Sequence, residues 1–223
     1  MANPGFLFVE IAGEHADQVA LVAGIAATAR RAGGEVLAAA APGRVAGLEP
    51  GTVASGIVVA RFADPAALPG IARGSIVPAL RAALPAGTVP LVLAVEGLPS
   101  QGLPEMTDIP TIASVPRPPS TPRHAFLVVR GTAWDQERLN AYRDVILPMH
   151  KERGGYYEVF ALQPGQVEAL SGEWTEQIFA ISRWPRRAAA EDFWYCDRYQ
   201  KHAIPLRLGA GRFTVHMLEA ADA

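Results

Sequence analysis

Arg31-Ala32-Gly33-Gly34-Glu35-Val36-Leu37 and Glu152-Arg153-Gly154-Gly155-Tyr156-Tyr157-Glu158-Val159 read alike: a charged helix end, a glycine pair, then a run toward a strand. Glycine tolerates the left-handed backbone that ends many helices, so each pair marks a helix-to-strand turn. Working outward, the two sides continue in step. Phe6-Leu7-Phe8-Val9 and Phe126-Leu127-Val128-Val129 predict first strands. First helices are expected over residues 14–31 and 135–153. In the second of these Leu139, Tyr142, Ile146 and Met149 are spaced 3, 4 and 3, and Asp135 suits the N-cap. Second strands follow at 35–41 and 156–162, then turns at 48–51 and 170–172. Third strands at 53–62 and 177–184, second helices at 65–83 and 185–199, and fourth strands at 89–95 and 213–218 complete the pattern.

Gly33 to Gly154 is an offset of 121, and Leu48 to Leu170 an offset of 122. That register predicts two tandem β-α-β-β-α-β units, ferredoxin-like and α+β in class. Residues 1–98 make the first half and 124–223 the second. Residues 99–123 hold seven of the nineteen prolines and predict an extended connector. Its Met106, Ile109, Ile112 and Val115 predict that it packs along one half or across both. Helices cover one face of each sheet, and the other face needs a partner. Two sheets packed face to face around a barrel interior, within one chain, satisfy both halves.

Twenty Lys and Arg against 22 Asp and Glu give a net charge of −2, which offers no attraction to nucleic-acid phosphate. The lone Cys196 excludes an intrachain disulfide and fits a cytoplasmic protein. No run of about 18 uncharged apolar residues predicts a membrane span. Met1-Ala2-Asn3-Pro4-Gly5 carries no basic region of a cleaved leader. Phosphate-loop, dinucleotide, zinc-protease and serine-hydrolase motifs are absent, and no His spacing proposes a metal.

The second half resembles the DUF1330 family of the dimeric α+β barrel superfamily. Asp135, Tyr142, Pro148, Gly154-Gly155, Gly172, Trp194-Tyr195, Tyr199-Gln200 and Arg207 carry the resemblance over residues 124–219. Family members usually have a basic residue after the glycine pair and an acidic residue and phenylalanine before the helix proline. This chain has Tyr156, and Arg183-Trp184 before Pro185. The resemblance implies the fold, and the family carries no settled activity. The wider superfamily includes cofactor-free monooxygenases, cyclases, isomerases and haem proteins.

The halves differ in chemistry. All four Trp and all five Tyr lie in residues 124–223, which predicts the ligand pocket there and a structural role for the first half. Tyr195 and Tyr199 are four apart, and His202 is three further, which places them on one helical face beside Trp194. Pro205 should end that helix and leave Arg207 in a loop facing the pocket. Tyr199, His202 and Arg207 are the catalytic candidates: phenol and imidazole exchange protons, and a guanidinium holds developing negative charge. Arg207→Ala is accordingly expected to lower turnover with little loss of folding. Trp194, Tyr195, Tyr142 and His150 are the substrate-binding candidates, Tyr142 and His150 lying about two turns apart on one helix.

The plainer reading makes these aromatics core, pairs Arg207 with Asp197, and leaves His150 favoured only by its helix end. Glu173 should be exposed. His216 lies in a strand of unfixed phase. The repeat sets Glu10 opposite Arg130 in otherwise apolar strands, which predicts either surface charges or a cross-sheet ion pair. The expected function is a cofactor-independent enzyme that moves a proton on a small carbonyl-bearing or aromatic metabolite, as an isomerase, cyclase or monooxygenase. The alternatives are a non-catalytic binding or scaffold protein and a haem-dependent one. The expected state is a monomer with an internal pseudo-dimer, or a homodimer.

Overall fold

The computed structural model describes residues 3–13, 17–53, 55–102, 107–115 and 123–221. In the first half, β1 (Gly5–Ala12), α1 (Gln18–Arg31) and β2 (Glu35–Ala40) lead to a two-residue strand, β3 (Ala46–Gly47). Then come β4 (Ser55–Phe62), α2 (Leu68–Ile71), α3 (Val77–Ala83) and β5 (Leu91–Glu96). The second half repeats this with β6 (Ala125–Ala133), α4 (Gln136–Glu152), β7 (Tyr156–Ala161), β8 (Val167–Ser171) and β9 (Ile178–Trp184). It ends with α5 (Arg187–Tyr195), α6 (Ile204–Arg207) and β10 (Gly211–Glu219).

Both glycine pairs end their helices as the sequence predicts, with Gly33 and Gly154 at φ +87° and +72°. The second glycine of each pair has a different duty. A Cβ on Gly34 would meet the Phe62 ring at 2.6 Å, and one on Gly155 the Trp184 ring at 2.7 Å. The last aromatic of each third strand therefore closes the core beneath the turn. Asp135 caps α4, its Oδ1 accepting from the Arg138 N–H at 3.1 Å.

The sheets run β2-β4-β1-β5-β8 and β3-β10-β6-β9-β7, with every named pairing antiparallel. The two short strands correct the sequence reading, which left residues 46–47 unassigned and made 170–172 a turn. Each crosses to the other half, β3 pairing with β10 and β8 with β5. Their alternation is too short to announce a strand, and pairing across the halves supplies the rest. Leu98 N–H donates to Glu158 O at 2.8 Å and Ala221 N–H to Leu37 O at 3.0 Å, so the sheets also meet at their edges.

Strand alternation separates three apolar layers. Leu7, Val9 and Ile11 face the first-half helices, and Leu127 and Met217 face the second-half helices. Phe6, Phe8, Val59, Phe126, Val128, Phe179 and Ile181 meet between the sheets and fill the barrel interior. Full burial of each large side chain stabilises by about 1.5–3 kcal/mol. The connector packs on the second half where it is described: Ile109 joins that core, and Pro110 O accepts from the Tyr157 N–H at 2.9 Å. Met106 and Pro104, Pro116, Pro118, Pro119 and Pro122 lie outside the described residues.

Glu10 and Arg130 form the cross-sheet ion pair. Arg130 Nε donates to Glu10 Oε2 at 3.0 Å, and its Nη1 to both oxygens of Glu176 at 2.9 Å. Ser55 Oγ donates to Glu10 Oε1 at 2.8 Å. His216 faces this cluster rather than pocket or solvent, with Nε2 3.9 Å from Glu10 Oε1. Burial, opposed in part by Glu10, lowers the His216 pKa. Removing one partner of a buried pair leaves a charge uncompensated. Arg130→Met is expected to cost about 3 kcal/mol in urea unfolding, and adding Glu10→Gln should recover only part of it, because Glu176 loses the same partner.

Candidate functional site

Between the second sheet and α4 and α5 lies a cavity of about 300 Å³. Its walls are Leu127 and Val129 of β6, Ile178 and Ala180 of β9, and Leu139 and Ile146 of α4, with the rings of Tyr157, Phe160, Phe193 and Phe213. Gln136, Gln163, Gln166 and Gln177 also line it and are exposed, so they mark where it opens. The barrel interior, by contrast, is packed with side chains.

Five of the seven predicted site residues come together here: Tyr142, His150, Trp194, Tyr199 and Arg207 line the cavity. Tyr195 and His202 do not. α5 stops at Tyr195, and Cys196 is extended at φ −69°, ψ 153°, so residues 185–199 are not one helix. That break turns Tyr195 outward, 62% exposed, while Tyr199 is fully buried. Gln200 Nε2 holds the break by donating to Trp194 O at 2.6 Å. A π-helical turn, Tyr199–Ala203, follows, with His202 exposed on it. Pro205 does not end the run. It occupies the first turn of α6, where no backbone donor is needed, and Arg207 is the last residue of that helix. Glu173 is exposed and lines no part of the cavity.

The hydroxyls of Tyr142 and Tyr199 lie 3.0 Å apart. Burial pushes the Tyr142 phenol up to about 12 and holds the Tyr199 and Tyr157 phenols well above their ordinary value. All three phenols therefore stay protonated near neutral pH. His150 is buried among Tyr157, Trp184 and Phe193, with ring centroids 4.8, 4.7 and 4.4 Å away. Its Nδ1 bonds Ile146 O at 2.9 Å, which assigns the proton to Nδ1 and the lone pair to Nε2. Burial lowers its pKa to about 4, opposed by that bond, so the imidazole is neutral.

Arg207 is 5% exposed, and its guanidinium carbon sits 5.1, 5.2 and 5.6 Å from the rings of Trp194, Phe213 and Tyr142. Burial pulls it down to about 10, still charged at neutral pH. Its counter-charge is Glu49 of the first half, not Asp197, which pairs with Lys201 at 2.7 Å. Truncating Arg207 would strand Glu49 and strip three ring contacts, so the expectation of little folding loss is not supported. Glu49 is the residue that sequence reasoning missed. It stands in a Pro-Gly turn that reads as a surface loop, and only the crossing of β3 brings it here.

The fold and the position of this cavity define the class: a fused dimeric α+β barrel with its pocket in the helix-covered second half. Residues 124–221 match the family described as Domain of unknown function (DUF1330). A candidate monooxygenase from Fusobacterium nucleatum subsp. nucleatum is similar in structure, with TM-score 0.55 and 8% identity over 99% of this chain and 94% of its own. A tryptophan-to-valine variant of chlorite dismutase from Candidatus Nitrospira defluvii gives TM-score 0.51 and 11% identity over 100% and 92%. At such identities these likenesses show the fold. Among curated proteins none matches the sequence. No helix among the described residues is long and apolar enough to cross a membrane.

The lowered pKa of His150 has a signed consequence. The unfolded imidazole protonates near 6.5 and the folded one only near 4, so the unfolded chain binds the extra proton between those values. Stability falls as pH drops through that window. At pH 4.5, relative to pH 7, wild type should lose about 2–3 kcal/mol more than His150→Gln in urea unfolding.

Proposed function

We propose that the second half binds a compact, conjugated, carbonyl-bearing metabolite and moves a proton on it using its own side chains. The observation that carries this is the buried Tyr142–Tyr199 hydroxyl pair in an apolar cavity that also holds a neutral imidazole. Two hydroxyls in contact use one O–H between them and leave the other free to donate to a ligand oxygen. Against apolar walls, a fixed neutral donor aimed at a developing oxyanion acts strongly. His150 Nε2 would accept the proton. A base of pKa about 4 lies near the carboxylate bases that perform such transfers.

Tyr142 and His150 are eight residues apart on α4, about 12 Å along the helix axis. A donor at one and a base at the other suit a ligand the length of a fused bicycle, whose acidic C–H is conjugated to a distant oxygen. Isomerisation and cyclisation begin with such an enolisation, and so does cofactor-free oxygenation of an enolate. With each half supplying the other's facing sheet, a monomer suffices, and the lone Cys196 suits the cytoplasm.

The residues do not fit a haem. The cavity's about 300 Å³ is at the small end for ligand pockets, tight for a porphyrin with two propionates. Its imidazole is packed against three rings, and its guanidiniums, Arg207 and Arg143, already pair with Glu49 and Asp108.

Proton transfer is read directly by deuterium incorporation at the γ-carbon of the bicyclic enone 4,4a,5,6,7,8-hexahydro-2(3H)-naphthalenone in D2O, followed by proton NMR. Wild type should accelerate exchange, and His150→Gln should lower the rate by about a hundredfold. For 2-naphthol binding, Tyr142→Phe and Tyr199→Phe should each weaken affinity a few-fold and the double variant about tenfold or more. Binding without exchange would instead make the protein a non-catalytic binder.

A further inference from the structure

Glu49 reaches the second half's site although it belongs to the first half. It follows β3, whose crossing is continued by the Leu48 N–H donating to Val215 O at 2.9 Å. The Glu49-Pro50-Gly51-Thr52 turn is closed by the Thr52 N–H donating to Glu49 O at 3.1 Å, with Gly51 at φ +79°. Proline then a positive-φ glycine is the composition of a type II turn, which holds the glutamate rigidly. Its carboxylate meets Arg207 from outside the cavity: Arg207 lines the cavity and Glu49 does not.

A buried guanidinium against three aromatic rings, opening on a ligand cavity, is by itself a strong carboxylate receptor. With Glu49 in place the pair is neutral. A second carboxylate brought to Arg207 would leave one negative charge buried without compensation. We infer that Glu49 sets the charge selectivity of the cavity: by occupying Arg207 it excludes anionic ligands and reserves the site for neutral phenols and carbonyl compounds. The inference rests on the ligand class proposed above and adds a positioning residue from the opposite half. Arg207 then keeps the ring cluster and the Tyr142–Tyr199 pair in place, instead of anchoring a substrate carboxylate.

2-Naphthol and 2-naphthoate share a ring system and differ in charge at pH 7, and isothermal titration of both tests the inference. Wild type should bind the naphthol roughly tenfold or more tightly than the naphthoate. Glu49→Gln, which keeps the size and removes the charge, should strengthen naphthoate binding by roughly ten- to a hundredfold, with the naphthol within about twofold. Adding Arg207→Gln should abolish that gain. Should Glu49→Gln fail to fold, the wild-type preference still decides: equal affinity for both probes overturns the inference. A naphthol that binds normally while Glu49→Gln leaves the ratio unchanged also overturns it, without touching the proposed ligand class. Wild type that binds neither probe overturns both.

Discussion

A four-stranded sheet with helices on one side has a second apolar face that cannot be left in water, and the rest of this molecule follows from how that face is covered. Phe6, Phe8, Phe126 and Phe179 project from two sheets into one interior. Aromatic side chains bury roughly 150–250 Å² each, so the two faces must meet. Because both sheets belong to one chain, closure is intramolecular, and β3 and β8 extend it by crossing to the opposite half. Each covers an edge that would otherwise present unpaired backbone groups. The Glu10–Arg130–Glu176 cluster lies in the same space, where its charges align one sheet with the other.

The halves keep one scaffold and differ in what fills the layer beneath the helices. Gly155 N–H donates to His150 O at 2.8 Å, and Gly34 N–H to Ala29 O at 2.9 Å, so His150 and Ala29 hold equivalent places. Trp184 and Phe62 close the core over equivalent glycines. In the first half, Val22, Ile25 and Ala29 pack into the layer with Leu68, Ile76 and Leu80. In the second, long helix side chains hold α4 and α5 around a cavity lined by phenols and an imidazole. The first half is still more than a support, because its Glu49 completes the charge balance of the other half's site.

Much of this was legible in the sequence, for physical reasons. The glycine pairs fix where helices end, and the apolar runs fix the strands, so the tandem topology could be read from spacing alone. The concentration of Tyr and Trp pointed to the half that holds the cavity, and Tyr142, His150, Trp194, Tyr199 and Arg207 all reach it. What failed was local geometry carried too far. Continuing one helix through Cys196 put Tyr195 and His202 on the wrong surface, because the chain is extended at Cys196 and a π-helical turn follows the break. Glu49 and the two crossing strands were invisible because their partners lie in the other half, beyond any periodicity a local reading can detect.

The electrostatics of the site suggest why its polar groups are arranged as they are. Its phenols stay protonated, its imidazole stays neutral, and its one deeply buried guanidinium is matched by a carboxylate. A neutral ligand entering such a cavity displaces little bound solvent from charged groups, so ground-state binding rests mainly on ring contacts. In the proposed reaction, charge would matter only once a proton leaves carbon. The free O–H of the Tyr142–Tyr199 pair would then meet a growing oxyanion, and the lone pair of His150 the departing proton. Both interactions would be stronger in the transition state than before it, which is the condition for accelerating a reaction rather than merely retaining its substrate. A free guanidinium in the same cavity would invert that order: it would bind anions in the ground state. On the proposed reading, pairing it with Glu49 removes the competing attraction and leaves the dipoles to act on the reaction itself.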